Sequence, residues 1–158
     1  WRDNRLNMIH EGTHGIQATD LLGRKVRMQG GAGLQLLAAT VNDTIQKAMA
    51  HEALSAYANQ LAKALAEVGG ATKSAWATEN AHQALANAVP YMQAAGHTVL
   101  AWMWLDLACC MLASGQVDAG RMAAMRYFFH YELPKIGAWL NVVKSRDMTC
   151  ADLPVDAF

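Results

Sequence analysis

The densest run of chemically capable side chains is Ile9-His10-Glu11-Gly12-Thr13-His14-Gly15-Ile16-Gln17. Two chemistries fit it. In the first, His10-Glu11-x-x-His14 sets two imidazoles one helical turn apart, as zinc hydrolases do, and Glu11 activates a zinc-bound water. Gly12 and Gly15 weaken the helix that must keep both histidines in register. Gln17 and Asp20 also stand where the extended zinc pattern has Gly and His, so a third ligand is lacking and no metal is expected. In the second chemistry Glu11 is a lone carboxylate base. Gly12-Thr13-His14-Gly15 then opens a helix whose free N–H groups face an anion. The glycines would let backbone approach a bulky ligand, while Thr13 caps the helix or donates its hydroxyl. A solvated turn is the bland alternative.

The elements that must hold this run are helical almost throughout. A short helix is expected from about Thr13 to Val26, broken by Gly30-Gly31-Ala32-Gly33. A long helix follows, with Leu34, Leu37, Val41, Ile45 and Met49 on one stripe and Leu54, Ala58, Leu61, Leu65 and Val68 on a drifted continuation. Gly69-Gly70 should end it, and Thr72 or Ser74 should cap the next helix. That helix carries Leu85, Val89, Met92, Gly96, Val99, Met103, Leu107 and Cys110, with a kink or restart at Pro90. Val99–Ala113 is apolar nearly all round, which implies burial on several sides; it is shorter than the ~20 residues of a bilayer span. After Ser114-Gly115, Asp118 should cap a last helix whose stripe runs from Met122 through Phe129 to Val143, kinked at Pro134. The pattern predicts an all-α, antiparallel up-and-down bundle of about four long helices plus a short N-terminal helix.

Composition narrows the function classes. The 158 residues carry 13 basic and 13 acidic side chains, which removes the electrostatic case for a nucleic acid or an anionic membrane as main partner. Thirty alanines against three prolines favour helix. Three cysteines, two of them adjacent, make no disulfide framework and point to a reducing, cytoplasmic compartment. Asp106 lies in the apolar helix and needs a partner, for which Arg121 or Arg126 would serve. His51, His82, His97 and His130 are scattered and read as surface or hydrogen-bonded core side chains. The tryptophans read as packing, with Trp102 and Trp104 as a lesser candidate for a subunit contact. The start at Trp1-Arg2-Asp3, without Met, suggests a piece of a longer protein.

The segment Glu11-Gly12-Thr13-His14-Gly15-Ile16-Gln17-Ala18, continuing to Asp20-Leu21-Leu22-Gly23-Arg24-Lys25, resembles the catalytic segment of the acyl-CoA dehydrogenases. Arg2-Asp3-x-Arg5 fits the same segment. Ala124-x-Arg126-Tyr127-Phe128-Phe129-x-Tyr131-Glu132-Leu133-Pro134 and the Thr149-Cys150 turn resemble the extra C-terminal helical domain of the branch that includes 3-methylmercaptopropionyl-CoA dehydrogenases.

The resemblance implies residues 1–28 as the end of the dehydrogenase helical domain and 29–158 as the C-terminal extension. It implies Glu11 as the catalytic base that removes the α-proton of an acyl-CoA thioester while the β-hydride passes to FAD. Gly12 would lie beside the substrate thioester, and Thr13, His14 and Gly15 would touch the flavin, in many members that of a neighbouring subunit. An electron-transfer flavoprotein as electron acceptor, a homodimer or higher homo-oligomer and a place in fatty-acid β-oxidation are implied too. Three positions depart from the common pattern: His10 for Tyr, His14 for Asn or Ser, and Gly15 for the Glu or Gln of shorter members. The rest of such an enzyme binds most of the FAD and substrate, so this chain alone is expected to be inactive and not to retain FAD. A non-catalytic helical association module and the zinc hydrolase remain the competing readings.

Overall fold

Each long helix carries one apolar stripe, and each stripe needs a neighbour to cover it. The computed structural model describes residues 12–157 and contains no strand among them. It begins with α1 (His14–Asp20), continued by a wide π-turn at Leu21–Lys25. Gln29, Gly30 and Gly31 then take φ of 52°, 67° and 85°. Glycine adopts that left-handed region freely, whereas Gln29 accepts a cost of about 1–2 kcal/mol. The bundle follows as α2 (Ala32–Met49), α3 (Glu52–Ala75), short α4 (Ala81–Leu85), α5 (Ala88–Ser114), α6 (Ala119–Tyr127) and α7 (Ile136–Ser145). A second π-turn, Phe128–Glu132, and a tight turn at Leu133–Lys135 join α6 to α7 into one kinked rod. Successive long rods α2, α3, α5 and α6–α7 run up and down, as the sequence predicts.

Helix α5 is the central element. It packs against α1, α2, α3 and α7, and Tyr91, Ala94, Ala101, Leu105 and Ala108 are at most 1% exposed. Burial of each large apolar side chain contributes about 1.5–3 kcal/mol, which is why its nearly all-round apolar surface settles inside the bundle. One strip escapes, with Leu100 and Met103 open to solvent. By length and composition α5 is also apolar enough to cross a membrane; in this structure it forms the core. Ala18, Leu22 and Val26 of the N-terminal segment belong to the same hydrophobic core as the bundle.

Five expectations are corrected. The helix expected to run unbroken to Gly69-Gly70 is two helices, because His51 is extended (φ −113°, ψ 116°). The drifted stripe was therefore two stripes, Val41-Thr44-Ile45-Ala48 on α2 and Leu54-Ala58-Leu61-Ala64-Val68 on α3. Gly69 and Gly70 lie inside α3, where burial of Val68, Ala71 and Ala75 offsets the ~1 kcal/mol each glycine costs a helix. Neither Thr72 nor Ser74 is a cap. The Thr72 hydroxyl bonds to the Val68 carbonyl (2.8 Å) and lies 2.7 Å from the Tyr91 hydroxyl, and Asn80 caps α4 through its carbonyl oxygen. Asp106 is partnered by neither arginine. The Thr44 hydroxyl donates to it (3.1 Å) and accepts from the Trp102 indole N–H (2.9 Å).

The line read along the third helix is displaced as well: Val89, Gly96, Met103 and Cys110 are exposed, and the buried face is Tyr91, Ala94, Thr98, Ala101, Leu105 and Ala108. Other local signals hold. Asp118 caps α6 by accepting the Arg121 N–H at 2.8 Å. Pro90 sits in the first turn of α5, where its missing N–H costs no helical bond. Cys109 is buried and Cys110 exposed, both free; burial, then Asp106, pushes the Cys109 thiol up from its ordinary pKa.

Candidate active-site segment

Chain entry into α1 places the residues singled out by the sequence. Gly12, Thr13, His14 and Gly15 are all exposed at its start; His10 and Glu11 lie outside the described residues. Thr13 occupies the cap position, and its carbonyl accepts the Gln17 N–H at 2.8 Å. Its hydroxyl makes no capping bond. Of the two roles open to Thr13, capping is therefore not the one adopted, because its backbone (φ −89°, ψ 38°) is not the extended conformation that swings a cap oxygen over the helix end.

Gly15 presents bare backbone: nothing lies within 4 Å of where a Cβ would stand, whereas a Cβ at Gly12 would overlap the His14 imidazole. Among the described residues no three His, Cys, Asp or Glu side chains could share a metal ion.

One turn further on, Asp20 receives a two-pronged bond from Arg24 (2.5 and 2.9 Å) and lies 3.4 Å from Lys25. Arg24 chiefly, then Lys25, holds the Asp20 carboxyl below the usual carboxylate range despite some desolvation. Beside this pair an open groove of about 810 Å³ runs from Gly15 and Ile16 past Gly23 to Arg27, Trp76 and Leu85. Its apolar floor borders the exposed start of α1.

The sequence reading missed Trp76. Its indole N–H donates to the Leu22 carbonyl at 3.0 Å, and the Arg27 guanidinium carbon sits 3.9 Å from its ring centroid. No periodic signal marks it, because the contact joins residues 54 positions apart, just past the end of α3.

The family model described as acetyl-CoA dehydrogenase C-terminal like matches residues 37–154, from α2 to beyond α7. The chain belongs to that family, as an acyl-CoA dehydrogenase C-terminal domain. Among curated proteins, this dehydrogenase domain is similar to two butyryl-CoA dehydrogenases of Syntrophomonas wolfei subsp. wolfei (strain DSM 2245B / Goettingen). One is 27% identical over 177 residues, covering 99% of this chain and 28% of the relative. The other is 26% identical over 170 residues, covering 99% and 27%. A 3-methylmercaptopropionyl-CoA dehydrogenase of Ruegeria pomeroyi (strain ATCC 700808 / DSM 15171 / DSS-3) is 33% identical over 108 residues, covering 65% of this chain and 18% of the relative. The chain thus spans under a third of the length of the curated relatives it matches.

Proposed function

We propose that the chain is the C-terminal part of an FAD-dependent acyl-CoA dehydrogenase that desaturates an acyl-CoA thioester at its α,β bond. The observation that carries this is the similarity to butyryl-CoA dehydrogenases along 99% of the chain, with the Glu11-Gly12-Thr13 motif ahead of α1. Glu11 takes the α-proton at its carboxylate. Desolvation in a closed acyl pocket would raise the basicity of that carboxylate toward the task. Gly12 leaves room beside the thioester. FAD, when bound, supplies the acceptor for the β-hydride.

What is visible of the segment fits such a ligand. The Thr13 hydroxyl makes no cap bond, and Gly15 and His14 are uncovered, so all three can turn toward a flavin. Residues 1–28 then close the catalytic domain and 29–158 form its helical extension. By this reading the isolated chain lacks the rest of the active site, is inactive and does not retain FAD. An electron-transfer flavoprotein takes the electrons, and the enzyme is a homo-oligomer.

The test is anaerobic addition of butyryl-CoA to the complete enzyme purified with its flavin. Loss of the oxidised flavin absorbance on mixing is the expected result. A flavin that stays oxidised with butyryl-CoA, 3-methylmercaptopropionyl-CoA and longer acyl-CoAs alike overturns the proposal.

A further inference from the structure

We propose that Trp76 is a positioning residue for the base, clamping the catalytic segment to the end of the helical bundle; this rests on the reading of Glu11 as the base. The π-turn at Leu21–Lys25 leaves one backbone carbonyl without a helical donor. In an α-turn the Val26 N–H would bond to the Leu22 carbonyl, and in a continuing π-turn the Arg27 N–H would. Neither does. Val26 donates to Leu21 (3.0 Å) and Arg27 to Arg24 (3.1 Å). A buried carbonyl needs a donor, and Leu22 is 0% exposed. The indole N–H of Trp76 supplies it at 3.0 Å. The widened turn and the tryptophan are therefore one device: the turn releases a carbonyl, and α3 grips it.

The grip is itself held. Arg27 covers the indole face at 3.9 Å. The Ser74 carbonyl, two residues before Trp76, accepts from the Arg146 guanidinium at 2.7 Å, and Asn87 donates from its amide to the Asp147 carbonyl at 2.8 Å. The C-terminal ends of α3 and α7 and the start of α5 thus meet in one corner, and that corner holds the Leu22 backbone. Ala18, Leu22 and Val26 seat the same segment in the core. Thr13, His14 and Gly15 open α1, so any rocking of α1 moves them, and Glu11 is their neighbour in the sequence. Proton abstraction tolerates little displacement: about 1 Å of misplacement can cost up to ~100-fold in rate.

The experiment uses the complete flavin-loaded enzyme with butyryl-CoA as probe. Trp76→Phe keeps an aromatic ring for Arg27 to cover and removes the donor. It is expected to slow the limiting rate of flavin bleaching about ten-fold while half-saturation stays within about two-fold, a split that merely weakened substrate binding would not give. Amide exchange across His14–Lys25 should quicken about ten-fold while that of Leu54–Leu65 stays unchanged. Arg27→Ala, which leaves the indole donor in place, should act in the same direction but more weakly. A Trp76→Phe enzyme that bleaches at the wild-type rate, or whose α1 amides exchange as before, overturns the proposal. Glu11→Gln run alongside separates the two claims. Normal bleaching there overturns the base assignment, whereas normal bleaching by Trp76→Phe beside a dead Glu11→Gln overturns only the clamp.

Discussion

Two places in this bundle widen by one residue, and the contacts that tie them to the neighbouring helices differ in kind. At Leu21–Lys25 the π-turn is fastened by a neutral bond from Trp76 to Leu22 and by an indole face under Arg27. At Phe128–Glu132 the fastening is ionic. Glu132 accepts from Lys135 at 2.6 Å and from the Tyr127 hydroxyl at 3.3 Å, and lies 3.7 Å from the His97 imidazole. That imidazole meets the Trp139 ring edge at 4.8 Å. The first turn ties the candidate catalytic segment to the bundle, while the second bends one rod of the bundle onto its own core. The same backbone defect thus serves attachment in one place and curvature in the other, and the two should fail under different conditions.

The largest difference is expected in the core side chain at each turn. Phe129 is 1% exposed and packs edge-on against Tyr57 at 5.2 Å; Leu22 is 0% exposed. Phe129→Ala should cost about 3–5 kcal/mol and Leu22→Ala about 2–5 kcal/mol in urea unfolding. Fluorescence and circular dichroism should report one coincident transition for Phe129→Ala. Leu22→Ala should loosen α1 before the rest, seen as early exchange of His14–Lys25. Early loss of α6–α7 instead would reverse the comparison.

A smaller effect separates the fastenings themselves. Trp76→Phe should lower stability by about 1–3 kcal/mol, the cost of leaving the buried Leu22 carbonyl without a donor. Because both partners are neutral, the loss should be the same at low and high salt. A cost that vanishes in high salt would contradict the assignment of a neutral bond.

The smallest effect is electrostatic. Lys135 chiefly, with Tyr127 and His97, holds the Glu132 carboxyl below its ordinary pKa, against some desolvation. A lowered folded-state pKa means the contribution is present above the unfolded value and is lost as pH falls through the folded one. Acidification below the usual carboxylate range should therefore loosen the turn at Phe128–Glu132; at Leu21–Lys25 it should release Asp20 from Arg24 and Lys25 but leave the Trp76–Leu22 bond in place, as read by amide exchange corrected for intrinsic rates. Added salt should do the same more weakly, since the groups are partly exposed. Glu132→Gln should abolish that acid sensitivity.

The pair also shows what the sequence makes legible. Pro134 announces a defect in its rod, because a residue without an N–H must interrupt the ladder, and the π-turn and tight turn around it are how the chain absorbs the gap. Asp118 before α6 and the Gly-rich start of α2 are local signals of the same kind. The turn at Leu21–Lys25 has no such mark. Its partner is a tryptophan 54 residues away, just as the partner of Asp106 is Thr44, 62 residues away. Periodicity reports which face is buried and not which atom on a distant helix completes a polar group. The same limit explains His51: a drifting stripe fits one bent helix as well as two straight ones. In the candidate site, residue types and order were readable from Glu11 to Gly15, and the element that anchors them was not.

Everything proposed for this chain turns on Glu11 as the proton-abstracting base of an acyl-CoA dehydrogenase. Its most direct test is Glu11→Gln in the complete enzyme, mixed anaerobically with butyryl-CoA while the flavin spectrum is followed. The expected variant keeps its flavin, binds the acyl-CoA and does not bleach. Bleaching at the rate of the unmodified enzyme would contradict it.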